Sequence, residues 1–119
     1  MGKSNIIIAA VFGFTGVALG AFGAHVLGNF LQEELMKTFN TGVQYHLLHA
    51  VVMLILAIFG RQFGKSFRII FSGTILFSFS LYLYVLTGLR FAVMLTPVGG
   101  ILLLAGWLMI AYEGFKYKS

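Results

Sequence analysis

Long apolar runs alternate with short polar breaks along this chain, and four runs are long enough to cross a membrane. Residues 5–24 follow Lys3 and carry no formal charge over twenty positions. At 1.5 Å per residue that is about 30 Å of helix, one hydrocarbon core. Runs over 43–59, 68–86 and 97–112 repeat the pattern. A tight basic loop, GRQFGKS at 60–66, separates the second run from the third, and Gly88 is a candidate C-cap for the third. Residues 25–40 are too polar to span. Leu27, Leu31, Leu35 and Phe39 recur every four residues, while Glu33 and Lys37 pair at i, i+4 on the opposite side. Asn29 with Gln32 three residues on makes a loose capping box. The pattern predicts a short amphipathic helix lying in the membrane interface.

The fold class that follows is all-α: a four-transmembrane-helix bundle with a short amphipathic interfacial helix between spans 1 and 2, in a single integral membrane domain over 1–119. A secretory signal peptide would share Lys3, an apolar core and small residues near Ala21 and Ala24, but the run is long for such a segment and reads as a retained span. Pro97 allows two placements of the last helix. A start near Phe91 would put proline in the interior, where it kinks a helix. A start with Thr96 as N-cap and Pro97 at the first position would not, and is preferred, with 89–95 as an interfacial lead-in.

Composition agrees. The 119 residues are 60% hydrophobic and 9% charged, with mean hydropathy +0.98, against about 25% charged in a soluble domain. Gly is abundant at 15 residues and Pro appears once. Gly13, Gly16, Gly20 and Gly23 form a stripe on the first span, and Gly99, Gly100 and Gly106 supply a small-residue face on the fourth; both are helix-packing surfaces. Whether they serve helices of one chain or of a homo-oligomer is left open. The chain has no cysteine, which excludes disulfides, thiolate catalysis and thiolate-bound metal.

Net charge is +5, but no basic patch with interleaved aromatics occurs, so no nucleic-acid partner is inferred. Four spans put Lys3, Arg61, Lys65, Arg68, Lys116 and Lys118 on one side and Lys37 and Arg90 on the other. The positive-inside rule then makes both termini cytoplasmic, with the lipid bilayer as the first partner.

Candidate chemistry gathers near the outer ends of the spans in this topology. His25 closes the first span; Gln44, Tyr45, His46 and His49 open the second; Ser80, Tyr82 and Thr96 approach from the third and fourth. His46 and His49 are i, i+3 and can point the same way. Three readings fit. The groups form a hydrogen-bond network that fixes the bundle. Alternatively His25, His46 and His49, with Glu33 or Glu34, bind a divalent metal, or two histidines ligate haem. The third is a proton or small-solute path. The network reading is preferred, so no cofactor is assigned. No serine elbow, phosphate loop, HExxH or paired intramembrane carboxylates occur, and Glu113 beside Lys116 reads as a solvated interfacial group. The function expected is therefore non-enzymatic: supporting membrane integrity or a partner complex, with binding or transport through the outer polar cluster as the alternative.

Several motifs carry a family resemblance. Gly20-Ala21-Phe22-Gly23-Ala24-His25, then Thr41-Gly42-Val43-Gln44-Tyr45-His46 with His49-Ala50, then Phe79-Ser80-Leu81-Tyr82, then Thr96-Pro97-Val98-Gly99-Gly100 with Gly106-Trp107, occur in order over nearly the whole chain. This resembles the domain-of-unknown-function 423 family of small multi-pass membrane proteins, related to the eukaryotic transmembrane protein 256 group. One departure is Phe77-Ser78-Phe79, where that family often has Gly or Ser-Gly before the third-span serine. The resemblance implies a multi-pass membrane protein of about this length, in the inner membrane of a bacterium, without an assigned reaction. It marks His25, Gln44, Tyr45, His49, Ser80, Tyr82, Thr96, Pro97, Gly99 and Gly100 as characteristic positions.

Overall fold

The computed structural model describes residues 2–118. Every regular element among them is helical: α1 (Gly2–His25), α2 (Glu33–Phe59), α3 (Gly64–Thr74), a π-helical stretch (Ile75–Phe79), α4 (Ser80–Thr87) and α5 (Arg90–Phe115), with 3-10 turns at Leu27–Asn29 and Arg61–Phe63. Taken as continuous helical runs, Lys3–Asn29, Glu33–Phe59, Arg61–Thr87 and Arg90–Phe115 are long and apolar enough to cross a membrane. The all-α four-span bundle expected from the sequence is what the chain forms. Its molecular envelope measures 50 × 25 × 17 Å, a slab of helices one bilayer long.

Two boundaries differ from the expectation. No separate interfacial helix forms between spans 1 and 2. The amphipathic residues from Glu33 onward are the first turns of α2, which continues unbroken through Asn40, Thr41 and Gly42 to Phe59. Asn29 ends a 3-10 turn, and Gln32 occupies the N-cap position without a side-chain bond to the helix. The reason Gly42 does not break α2 is tertiary. A Cβ there would lie 2.8 Å from Cε1 of Tyr82 and 3.4 Å from the Ser78 carbonyl oxygen, so the glycine admits the third span rather than ending a helix.

Pro97 likewise lies inside α5, and the helix starts seven residues earlier, at Arg90, with Leu89 as its N-cap. Thr96 makes no cap, because its hydroxyl is hydrogen-bonded to the Ser80 hydroxyl. The cost of an interior proline falls in membrane helices, where packed neighbours re-satisfy the freed backbone. Gly88 does close α4, with φ +74° and its N–H donated to the Tyr84 carbonyl at 2.7 Å.

The helices pack antiparallel through their glycines. Along α1, a Cβ at Gly13 would be 3.9 Å from Ala50 Cβ, one at Gly16 2.7 Å from Leu47, one at Gly20 3.3 Å from Val43 and one at Gly23 2.7 Å from Phe39, a descending ladder against α2. Gly106 faces Ile70, and Gly99 faces the backbone of Leu76 and Phe77, so α5 docks on the third span at its π-helical stretch. Phe77, where the resemblance departs from its family, is thus seated on Gly99. Two apolar clusters result. One holds Ala9, Phe12, Met53, Leu56, Phe67, Ile70 and Leu103. The other holds Leu27, Phe39, Val43, Tyr82 and Val85. His46 lies between them, hydrogen-bonded to Phe12 of the first cluster and Tyr82 of the second. Outward-facing side chains such as Phe14, Leu48, Ile101, Leu104 and Leu108 are exposed and apolar, the surface that lipid solvates.

Candidate functional site

Because α2 begins at Glu33, its polar residues stand deeper than the span boundaries in the sequence suggest. His46 is thirteen residues from Glu33 and thirteen from Phe59, the midpoint of the helix. It is 0% exposed, and His49 is 2% exposed. At that depth water cannot satisfy an imidazole, so each ring nitrogen needs a protein partner.

Both rings find them. His46 Nε2 lies 2.9 Å from the Phe12 carbonyl oxygen and 3.2 Å from Thr15 Oγ1, and its Nδ1 lies 2.9 Å from the Tyr82 hydroxyl. A carbonyl can only accept, so the proton sits on Nε2 and the Tyr82 O–H donates to Nδ1. Thr15 completes the arrangement by donating to the same Phe12 carbonyl at 2.9 Å. His49 adopts the other tautomer. Its Nδ1 donates to the Tyr45 carbonyl at 2.8 Å, and its Nε2 accepts the indole N–H of Trp107 at 3.2 Å. The indole is donor only, which fixes this assignment as firmly as the first.

Aromatic rings enclose His46. Phe12 is 4.6 Å away between centroids, Phe79 5.5 Å and Tyr82 6.0 Å. The Tyr82 ring lies over Gly42 and extends one turn deeper to reach the imidazole. Ser78, one turn before Tyr82, donates to the Gly42 carbonyl at 2.7 Å. Two consecutive turns of the third span are therefore bonded to α2.

The remaining candidates are not all part of this arrangement. Ser80 and Thr96 bond to each other, and Ser80 also donates to the Phe77 carbonyl at 2.9 Å, forming a separate link between α4 and α5. Tyr45 contributes its carbonyl to His49 and sets its ring, tilted, 4.5 Å from that of Phe77. Gln44 and His25 are exposed, His25 at the end of α1. The structure thus does not bring His25 together with His46 and His49. Among the described residues no three His, Asp or Glu side chains are placed to hold a metal ion. The one outer cluster read from the sequence resolves into three separate contacts.

Three participants escaped the sequence reading: Thr15, the Phe12 carbonyl and Trp107. A backbone carbonyl has no sequence signature, and Trp107 is 58 residues from its partner His49. A fourth difference lies at the opposite end. Glu113 is not a freely solvated carboxylate. Its Oε1 accepts both the backbone N–H and the hydroxyl of buried Ser66, in the first turn of α3. This ties the end of α5 to an N-terminus whose dipole favours negative charge.

A groove of about 490 Å³ opens laterally between α2 and α5, lined by Tyr45, His49, Phe77, Pro97, Leu104 and Trp107 among others. It is mainly apolar, and its polar edge is the His49–Trp107 pair.

Comparison with known proteins places the chain. Residues 19–100 match the family described as Protein of unknown function (DUF423). A UPF0382 membrane protein of Haemophilus influenzae is 37% identical over 123 residues, covering 100% of this chain and 99% of that protein. The UPF0382 inner membrane protein YgdD of Escherichia coli is 40% identical over 118 residues, covering 95% and 90%. The UPF0382 membrane protein YwdK of Bacillus subtilis is 33% identical over 121 residues, covering 97% and 98%. No solved structure matches the chain. A family match across most of the sequence, with relatives aligned nearly end to end, establishes that the chain belongs to the DUF423 family of small membrane proteins.

Proposed function

We propose that this protein is a non-enzymatic membrane component, supporting membrane integrity or a partner complex, and that its buried histidines hold the bundle together rather than bind a ligand. The observation that carries this is the complete use of both imidazoles: each of the four ring nitrogens of His46 and His49 has a partner from the chain itself. A histidine that ligates a metal must present a free lone pair, and here the Nδ1 of His46 and the Nε2 of His49 are occupied by the donors of Tyr82 and Trp107. Both termini are assigned to the cytoplasmic side of a bacterial inner membrane. The six cations at the end holding Lys3, Arg61 and Lys116, against Lys37 and Arg90 at the other, support this. A second reading, binding or transport of a small hydrophobic solute, draws on the lateral groove beside His49 and Trp107.

The test is elemental analysis with an absorption spectrum on protein purified without chelator or polyhistidine tag, repeated after adding zinc, copper and haem. Wild-type protein is expected to hold no stoichiometric metal or haem, and His46→Ala and His49→Ala to lower stability. Stoichiometric binding that both variants lose while staying folded would overturn the structural role and make the histidines ligands.

A further inference from the structure

The cations of this chain are concentrated at one end of the bundle and around one recess. Arg61, Lys65, Arg68, Lys116 and Lys118 line two adjoining hollows of about 300 and 390 Å³, which share Lys65 and Glu113. Five positive side chains and one negative give +4 there, out of +5 for the whole chain.

The recess is built by packing. Tyr117 sets its ring 5.7 Å from Phe59 and 5.7 Å from Phe63, which fastens the segment after α5 to the turn between α2 and α3. Lys116 and Lys118 flank that anchor, while Arg61 and Lys65 lie in and just after the turn. The Lys116 ammonium rests 5.1 Å over the Tyr112 ring and donates to its hydroxyl at 3.4 Å. The single acid, Glu113, is committed to Ser66 by two hydrogen bonds through Oε1. Below Tyr112, the same face of α5 continues as Leu108 and Leu104, both exposed and apolar. A basic hollow at a membrane surface, opening onto an apolar helix face, matches a ligand with a phosphate anion at one end and hydrocarbon at the other.

We propose that this recess binds the headgroup of an anionic phospholipid, with its phosphate among Lys65, Lys116 and the neighbouring arginines and its acyl chains along Leu104 and Leu108. The site does not depend on the structural role assigned to the histidines, and it works from whichever leaflet borders this end. Charge complementarity selects the occupant: a lipid of net negative charge gains from +4, while a zwitterionic one carries its own ammonium into the same field.

Native mass spectrometry of the detergent-solubilised protein, titrated with phosphatidylglycerol or phosphatidylcholine, reads this directly. Phosphatidylglycerol is expected to be retained at one per chain in preference to phosphatidylcholine. Lys65→Gln and Lys116→Gln should each weaken retention about fivefold, the effect of one cation near an anionic surface. Lys37→Gln and Arg90→Gln, at the opposite end, should leave it unchanged. Circular dichroism verifies the fold of each variant, and release of phosphatidylglycerol from wild-type protein by high salt gives a readout that needs no variant. Equal retention of the two lipids, equal loss in the opposite-end variants, or full displacement by inorganic phosphate alone would overturn the assignment; the last would make the site one for free phosphate.

Discussion

Gly99 and Gly100 adjoin in α5 yet face different surroundings, and exchanging each for alanine isolates what the close approach of two helices contributes. A Cβ at Gly99 would lie 2.7 Å from Phe77 Cα and 2.8 Å from the Leu76 carbonyl carbon, well inside the 3.5–4.0 Å at which carbon atoms attract. Both are backbone atoms, so no rotamer change relieves the contact and α5 must move away from the π-helical stretch. Thr96, three residues earlier on the same face, would be drawn away from Ser80, weakening a second link. A Cβ at Gly100 would lie 3.8 Å from Phe77 Cδ1, ordinary contact. Any gain in helix propensity is common to both variants and cancels, leaving overpacking of roughly 1–3 kcal/mol against Gly99→Ala alone. Gly99→Ala is therefore expected to be about 2 kcal/mol less stable than Gly100→Ala, roughly a 30-fold change in the folding equilibrium. Titration from mild detergent into sodium dodecyl sulfate, followed by helical circular dichroism and Trp107 fluorescence, measures the difference. Equal stability of the two variants, or a more stable Gly99→Ala, would refute the packing of α5 against Phe77.

The same titration checks two further expectations. Tyr82→Phe removes the donor to His46 Nδ1 and should cost about 1 kcal/mol, between the average of roughly 0.6 and the maximum of roughly 1.7 kcal/mol for bonds between membrane helices; no loss would mean the hydroxyl is not engaged. Glu113→Ala leaves the N–H and hydroxyl of buried Ser66 without their acceptor and should cost about 1–3 kcal/mol, more than Glu113→Gln, which keeps an acceptor oxygen. Faster amide exchange at Ser66 in the alanine variant only would locate the effect at the start of α3.

The spans were legible because their signal is composition sustained over about twenty residues, which no local choice can cancel. Element ends were less so, since they depend on partners. Asn40-Thr41-Gly42 resembles a break until Tyr82 is seen resting on Gly42. Thr96-Pro97 resembles a cap and first turn until Thr96 is seen bonded to Ser80. The π-helical stretch at Ile75–Phe79 has no periodicity to betray it. Of the candidate residues, His46, His49, Tyr82 and Ser80 were found as polar side chains too costly to leave facing lipid. Their grouping was not, because it is set by the rotation of each helix. Gln44 is two residues from His46, and the two side chains point to opposite environments.

The partners of the two histidines also become available in a set order during synthesis. His46 takes the carbonyl of Phe12, made 34 residues before it, so α1 already offers half of what this ring needs when α2 enters the membrane. Its other half, Tyr82, follows 36 residues later. His49 must wait for Trp107, 58 residues downstream, which at about 5–20 residues per second is roughly 3 to 12 seconds of elongation. Until α5 arrives, that imidazole faces the lateral side of an unfinished bundle with one nitrogen unmatched. Closure of the last helix is thus the step that gives the His49 imidazole its second partner.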